Sequence, residues 1–332
     1  MPSALIVLIL VLILAVAFDF INGFHDTANA IATVVSTRVL SPTQAIAMAS
    51  TLNFLGAVIV GTAVAKTVGT GIVEPSAITQ YTVVAALLGA ITWNLITWYF
   101  GIPCSSSHAL IAGIIGASIE TAGINILNGG GLLTILGSLV LSPLVGLLFG
   151  FGIMIGLMWT FRRFSPAAVN TYFRHLQIAS AAFMAFSHGS NDTQKTMGII
   201  TMALVSFGTL NSFEVPLWVI LLSAIAMAFG TAAGGWRIIK TLGVRLVSLM
   251  PVHGFAAETS AAAIIQLATH FGAPVSTTHV IATSIMGVGA SRRFSAVRWG
   301  VAGNIVIAWV LTIPVTMAFA WCFRYALRFI IG

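Results

Sequence analysis

Charge is what this chain has least of. Charged side chains make up 6% of its 332 residues, against roughly a quarter in a soluble domain, so a water-soluble globular fold is excluded. Alternating apolar and polar positions are also missing. The apolar runs are continuous, which excludes an outer-membrane β-barrel. Cysteine occurs twice, as Cys104 and Cys322, each in apolar context. That spacing fits no metal site, and buried thiols are expected rather than a disulfide. The start has neither a basic n-region nor a small-residue cleavage site, so residues 4 to 18 read as a retained helix rather than a signal peptide.

What is present is apolar. Hydrophobic residues make up 58% of the chain, with mean hydropathy +1.05. Runs of about 20 such residues recur along its length, enough for roughly ten membrane crossings. The class is an all-α polytopic membrane protein in contact with lipid. The net charge of +7 does not indicate nucleic acid. Arg162, Arg163 and Arg174, then Arg292, Arg293 and Arg298, sit in short gaps between apolar runs, as cytoplasmic loops do.

Two polar stretches interrupt the apolar pattern, and they match. The first is Phe20-Ile-Asn-Gly23-Phe-His25-Asp26-Thr27-Ala-Asn29, the second Phe186-Ser-His-Gly189-Ser-Asn191-Asp192-Thr193-Gln-Lys195. Asn22-Gly23 beside Asp19 and Asp26 predicts an unwound turn, hence a broken helix, and the second copy predicts another. Pro103-Cys-Ser105-Ser106-Ser107-His108 is likewise matched by Pro274-Val-Ser276-Thr277-Thr278-His279, each after Phe-Gly-x. The apolar piece after the first cluster spans about 11 residues, too short to cross a membrane alone. Each cluster therefore reads as the start of a helix in a re-entrant hairpin, with hydroxyls at the N-cap and first turn.

Paired features in the same order define two pseudo-symmetric repeats, residues 1–161 and 177–332, joined by a basic central loop at 162–176. Repeats with interrupted helices at corresponding positions point to the binding site of a secondary transporter, and an inverted relation is favoured.

The chemistry follows from the residue types. Hydroxyls and free N–H groups at a helix start form an anion site without Lys or Arg. Plain capping would explain one such cluster, but two at equivalent positions favour a ligand. A buried, unpaired carboxylate costs at least about 2.5–3.5 kcal/mol in a membrane. Asp26, Asp192 and Glu258 therefore each need a cation, a proton or an internal donor. Carboxylates lining an anion pocket repel the anion unless a cation or proton is bound with it. Anion uptake coupled to H⁺ or Na⁺ follows. The anion site is assigned to Asp26, Asn29, Ser105, Ser106, Ser107, Asn191, Asp192, Ser276, Thr277 and Thr278. Cation coupling is assigned to His25, Asp26, Thr27, Asn191, Asp192, Thr193 and Glu258. His25, beside Asp26, suits a proton relay. Lys195 either pairs with Asp192 or reaches the anion. Asp19 is read as a cap of its broken helix, and Glu74, Glu120 and Glu214 as solvated loop residues.

These motifs resemble the inorganic phosphate transporter family over nearly the whole chain. The signature residues are Gly23-Phe-His25-Asp26-Thr-Ala-Asn29 with Gly189-Ser-Asn191-Asp192-Thr-Gln-Lys195, and the Pro103–His108 and Pro274–His279 elements. The resemblance implies phosphate symport by alternating access in the cell inner membrane, and the Glu258-Thr-Ser-Ala stretch resembles one whose acid transport requires. His25 stands where sodium-coupled members have Asn, and Asn53 where many animal members have Glu. The His-Asp pair is similar to bacterial low-affinity carriers, which are proton symporters that also carry neutral metal–phosphate complexes. H⁺ is thus favoured over Na⁺, with no cofactor and no resident metal. Oligomeric state, whether monomer or homo-oligomer, is left open.

Three readings compete: a sodium-coupled phosphate symporter, a permease for sulfate or another oxyanion, and a passive channel. An intramembrane hydrolase built on Ser107 and His108 is disfavoured, because adjacent helical residues point apart and the pair is duplicated.

Overall fold

Helix length and helix breaks place everything else in this molecule. The computed structural model describes residues 2–73 and 78–331. Its first half contains α1 (Pro2–Ser36), α2 (Pro42–Ile59), α3 (Ala63–Gly71), α4 (Gln80–Phe100), α5 (Ser106–Ala122) and α6 (Gly129–Thr160). Its second half contains α7 (Pro166–Ser206), α8 (Leu217–Ala233), α9 (Trp236–Lys240), α10 (Pro251–His270), α11 (Thr277–Arg292) and α12 (Trp299–Ile331). A π-helical segment, Thr241–Leu246, continues α9. The order replays in detail. A single 3₁₀ turn follows α5 and another follows α11, and one isolated backbone bridge accompanies each, Val73 with Leu127 and Val247 with Val297.

Among the described residues four helices, α1, α4, α6 and α12, are long and apolar enough by themselves to cross a membrane, and the bent pairs α2–α3 and α8–α9 raise the number to six. The remaining long segments differ in kind: α5 and α11 are only 17 and 16 residues long, α7 carries the polar stretch, and α10 carries Glu258. The outer surface is apolar, with Leu133, Val140, Leu144 and Leu148 on α6 and Ile307, Val310 and Phe329 on α12 exposed. Residues 106–118 of α5 and 277–289 of α11 are all buried, so these two helices form the centre. Each pairs with the helix before it, giving the hairpins α4–α5 and α10–α11.

Several expectations are corrected here. The helices do not break at the Asp motifs, since α1 and α7 each run without interruption through them. The glycines serve helix contact instead. A Cβ on Gly23 would lie 2.4 Å from the Met227 carbonyl oxygen of α8, and one on Gly189 would lie 2.2 Å from the Asn53 carbonyl oxygen of α2. Their counterparts Gly230 and Gly56 are equally tight, at 2.0 Å from the Phe20 oxygen and 2.1 Å from the Phe186 oxygen. Small residues let membrane helices approach backbone to backbone. The breaks fall one helix later, between α2 and α3 (74°) and between α8 and α9 (61°). At those breaks Gly61 and Gly234 have φ of +98° and +74°, which a side chain would oppose.

The central loop is also shorter than expected. Ser165 caps α7 by accepting from the Ala168 N–H, and Pro166 sits at the first helical position, so residues 166–176 are helix. Glu120 is not solvated. Its side chain is nearly buried and lies 3.6 Å from Arg324 and 3.8 Å from Arg328 of α12. Glu214 is exposed, as expected, and Glu74 lies outside the described residues.

Filling the crossings should break them. Gly23→Val and Gly189→Val are each expected to destabilise the protein by at least about 1–3 kcal/mol, the usual cost of overpacking. Thermal unfolding in detergent measures this, with Gly137→Val as the control because nothing lies within 4 Å of a Cβ there. Equal stability of all three variants would refute the close-contact role.

Candidate functional site

The middle of α1 crosses the middle of α7, and the two Asp motifs meet there. Asp26, His188 and Asp192 each present one ligand atom, and these atoms lie within 4.8 Å of one another. All three side chains are buried. The starts of α5 and α11 close over this point from the two hairpin tips. His108 and His279 stack with ring centroids 4.6 Å apart, and His279 stacks on Trp309 at 3.9 Å. The Trp309 indole N–H donates to the Pro103 carbonyl at 3.0 Å, which ties α12 to the first tip.

Asp192 is fully engaged. The Lys195 ammonium, one turn along the same helix, donates to its Oδ1. The Thr277 hydroxyl donates to its Oδ2 at 2.7 Å, and His188 Nε2 lies 3.1 Å from that oxygen. Lys195 also donates to the Ser107 hydroxyl and, at 2.8 Å, to the Val275 carbonyl. One cation thus grips both hairpin tips and one carboxylate. His188 is oriented by Asn53, whose Oδ1 is 3.2 Å from His188 Nδ1 and whose amide donates to Thr231 at 2.8 Å.

Asp26 is held differently. His25 Nδ1 is 2.7 Å from its Oδ1, and the Thr278 hydroxyl donates to the same oxygen at 3.3 Å. The other ring nitrogen, Nε2, is 3.0 Å from the Thr97 hydroxyl. That hydroxyl is itself 3.0 Å from the Trp93 carbonyl. With the Thr97 proton directed to that carbonyl, the imidazole can carry a proton on each nitrogen at once. Thr97 also lines a cavity of about 570 Å³ with Pro103, Thr241, Arg245 and Asn304, so open space reaches the hydroxyl beside His25 Nε2 but not His25 or Asp26 themselves. Asn29 completes the centre, donating to Thr278 at 2.9 Å and Thr277 at 3.3 Å.

The structure thus brings together His25, Asp26, Asn29, Ser107, Asp192, Thr277 and Thr278 of the expected residues. Other expected residues have different partners. The Thr27 hydroxyl turns to the Gly23 carbonyl at 2.6 Å. Asn191 braces the α10–α11 loop, donating to Thr269 at 2.8 Å and accepting from the Val275 N–H at 3.4 Å. Ser105 and Ser276 are N-caps that accept from the His108 and His279 N–H groups. Ser106 and Thr193 are buried, and among the described residues their hydroxyls have no partner. Glu258 lies elsewhere on α10, bonded to Thr33, Ser180 and Gln177. Thr33 stands seven residues beyond Asp26, about 10.5 Å along α1. Reading the sequence missed Thr97, Gln177 and Ser180, since a single Thr or Gln in a helix carries no motif.

A bundle of helices with an apolar outer face around a buried centre of paired carboxylates, hydroxyls and one lysine defines a multi-pass membrane protein. Comparison with known proteins names the class further. The description of the phosphate transporter family matches residues 22–169 and 161–320. The chain is 50% identical over 317 residues to a probable low-affinity inorganic phosphate transporter of Rhizobium meliloti (strain 1021), covering 95% of each chain. It is 50% identical over 319 residues to the protein of the same description from Bacillus subtilis (strain 168), covering 95% of this chain and 96% of that one. A solved structure titled "The sodium-dependent phosphate transporter" superposes with TM-score 0.91 at 28% identity, covering 98% of this chain and all of the other. The chain belongs to the phosphate transporter family. The family and these relatives are transporters, not enzymes.

Two hydroxyls separate framework from site. Thr27→Val removes only bonds to backbone carbonyls, so it should shift stability by no more than about 1 kcal/mol and leave phosphate uptake unchanged. Thr278→Val removes the link between Asn29 and Asp26. It should lower phosphate uptake in proteoliposomes roughly tenfold or more, because hydrogen bonds to charged groups contribute about 1.5–3 kcal/mol. The reverse order of effects would show the site to be misplaced.

Proposed function

We propose that this protein is a secondary active symporter that takes up inorganic phosphate on a cation gradient, with H⁺ as the cation. One observation carries the reading: Asp26 and Asp192 converge at the facing helix starts of α5 and α11, and only Asp192 has a fixed cation. The hydroxyls of Ser107, Thr277 and Thr278 and the N–H groups of two helix starts suit a tetrahedral anion. Lys195 is paired with Asp192. Asp26 has a titratable partner, His25, in place of a fixed charge. A proton held between His25 and Asp26 removes the repulsion that an anion would meet there. Phosphate and proton then favour each other's binding through one shared site.

The two halves are proposed to be related by inversion and to expose this centre alternately to the two sides. The substrate is proposed to be phosphate alone or a neutral metal–phosphate complex, whose metal would meet Asp26 and Asp192. The solved relative's title speaks of sodium, and that is a statement about that protein. His25 is the observation that favours a proton here. A sulfate permease is the second reading, since hydroxyls and helix starts accept either anion. Phosphate is favoured because it can donate a hydrogen bond to Asp26 at neutral pH, where sulfate cannot.

Purified protein in proteoliposomes tests the proposal. An imposed inward pH gradient should drive phosphate accumulation without sodium, a protonophore should collapse it, and excess sulfate should not compete. Asp26→Asn should abolish accumulation while the protein remains folded in the membrane. Accumulation that requires a sodium gradient, or uptake indifferent to both gradients, would overturn the proton reading.

A further inference from the structure

Asp19 was read as the cap of a broken helix, but α1 does not break there. Its side chain is 0% exposed, and among the described residues neither carboxylate oxygen has a hydrogen-bond partner. The side chains of Asn22 and Thr196 border it, and Asn22 Oδ1 and Thr196 Oγ1 are buried without partners as well. The charged groups that face it are Asp192 and Lys195 of α7. The other helices packed on the first half of α1, α4 and α8, contain no Asp, Glu, His, Lys or Arg. His25 and Asp26 are the nearest titratable groups on α1 itself.

A bare carboxylate in such a place is strongly disfavoured. A proton on Asp19 removes that charge and gives the carboxyl a donor as well as an acceptor beside Asn22 Oδ1 and Thr196 Oγ1. Asp19 also stands seven residues before Asp26, and Thr33, the partner of Glu258, stands seven residues after it. Three buried carboxylic groups therefore lie along one face of α1 at two-turn intervals. The second repeat has Ala185 at the position equivalent to Asp19, so this site belongs to the first half alone.

We infer that Asp19, with Asn22 and Thr196, is a second proton-binding site of the transport cycle, separate from the His25–Asp26 pair. The inference rests on the symport reading above. Each cycle loads Asp19 with a proton from one side and releases it to the other.

Asp19→Asn tests this, because an amide keeps a donor and an acceptor at that place but cannot give up a proton. In proteoliposomes the variant should exchange internal for external phosphate, and its H⁺-to-phosphate ratio, measured from reversal potentials, should fall by one proton per phosphate. Asp19→Glu should keep the wild-type ratio. A wild-type ratio in Asp19→Asn would overturn the inference. Wild-type protein that moves no protons would instead overturn the symport reading, which keeps the two failures distinct. A readout independent of transport is infrared spectroscopy with ¹³C-carboxyl-labelled aspartate. The chain has three aspartates. A labelled carboxylic acid band at neutral pH that is present in the wild type and retained in Asp26→Asn supports the site, and its absence from the wild type overturns it whether or not the Asp19→Asn variant folds.

Discussion

The ion pair between Lys195 and Asp192 is the contact on which the centre of this protein depends. Breaking a buried pair by removing one partner costs about 3–5 kcal/mol, because the other charge is left without compensation. Here the same ammonium also binds Ser107 at one hairpin tip and Val275 beside the other. The two tips therefore meet around a cation supplied by the chain itself. The His108–His279 stack and the Trp309–Pro103 hydrogen bond add further contacts between the two tips and α12.

The repeats differ where the charge accounting differs. In the first motif Asn22, His25 and Asn29 surround Asp26; in the second His188, Asn191 and Lys195 surround Asp192. Asn29 and Lys195 hold equivalent positions, yet one carries no charge and the other a full one. The histidines have traded places with asparagines as well. His25 reaches Asp26 beside it, while His188 reaches Asp192 from one turn away, steadied by Asn53. One half thus carries a built-in counter-ion and the other a titratable partner. On the proposed symport reading, that asymmetry leaves a single carboxylate, Asp26, for a transported cation.

Much of this was legible in the sequence, and the boundary is informative. The shortage of charge fixed the class, and the duplicated Pro–Ser/Thr–His elements located the two helix starts that meet at the centre. Asp26 and Asp192 converge as their pairing in the repeat implied. The glycines misled, because Gly23 and Gly189 look like helix breakers until one knows that α8 and α2 cross over them. That information is non-local and absent from any local motif. The partners of Thr27 and Asn191 were not legible either, because a hydroxyl or amide within a motif can turn to a backbone carbonyl or brace a neighbouring loop, and spacing alone does not distinguish these. Asp19 was undervalued because its reading depended on a break that does not exist. Glu120 was placed in solvent because its partners, Arg324 and Arg328, lie two hundred residues away on α12.

The most direct test of the account is the number of cations moved per phosphate when Lys195 is replaced by the residue at its counterpart position. In Lys195→Asn the second half loses its fixed charge and comes to resemble the first. Reversal potentials in proteoliposomes should then show one more cation per phosphate than in the wild type. An unchanged ratio in a variant that still transports phosphate would contradict the claim that Lys195 stands in for a transported cation.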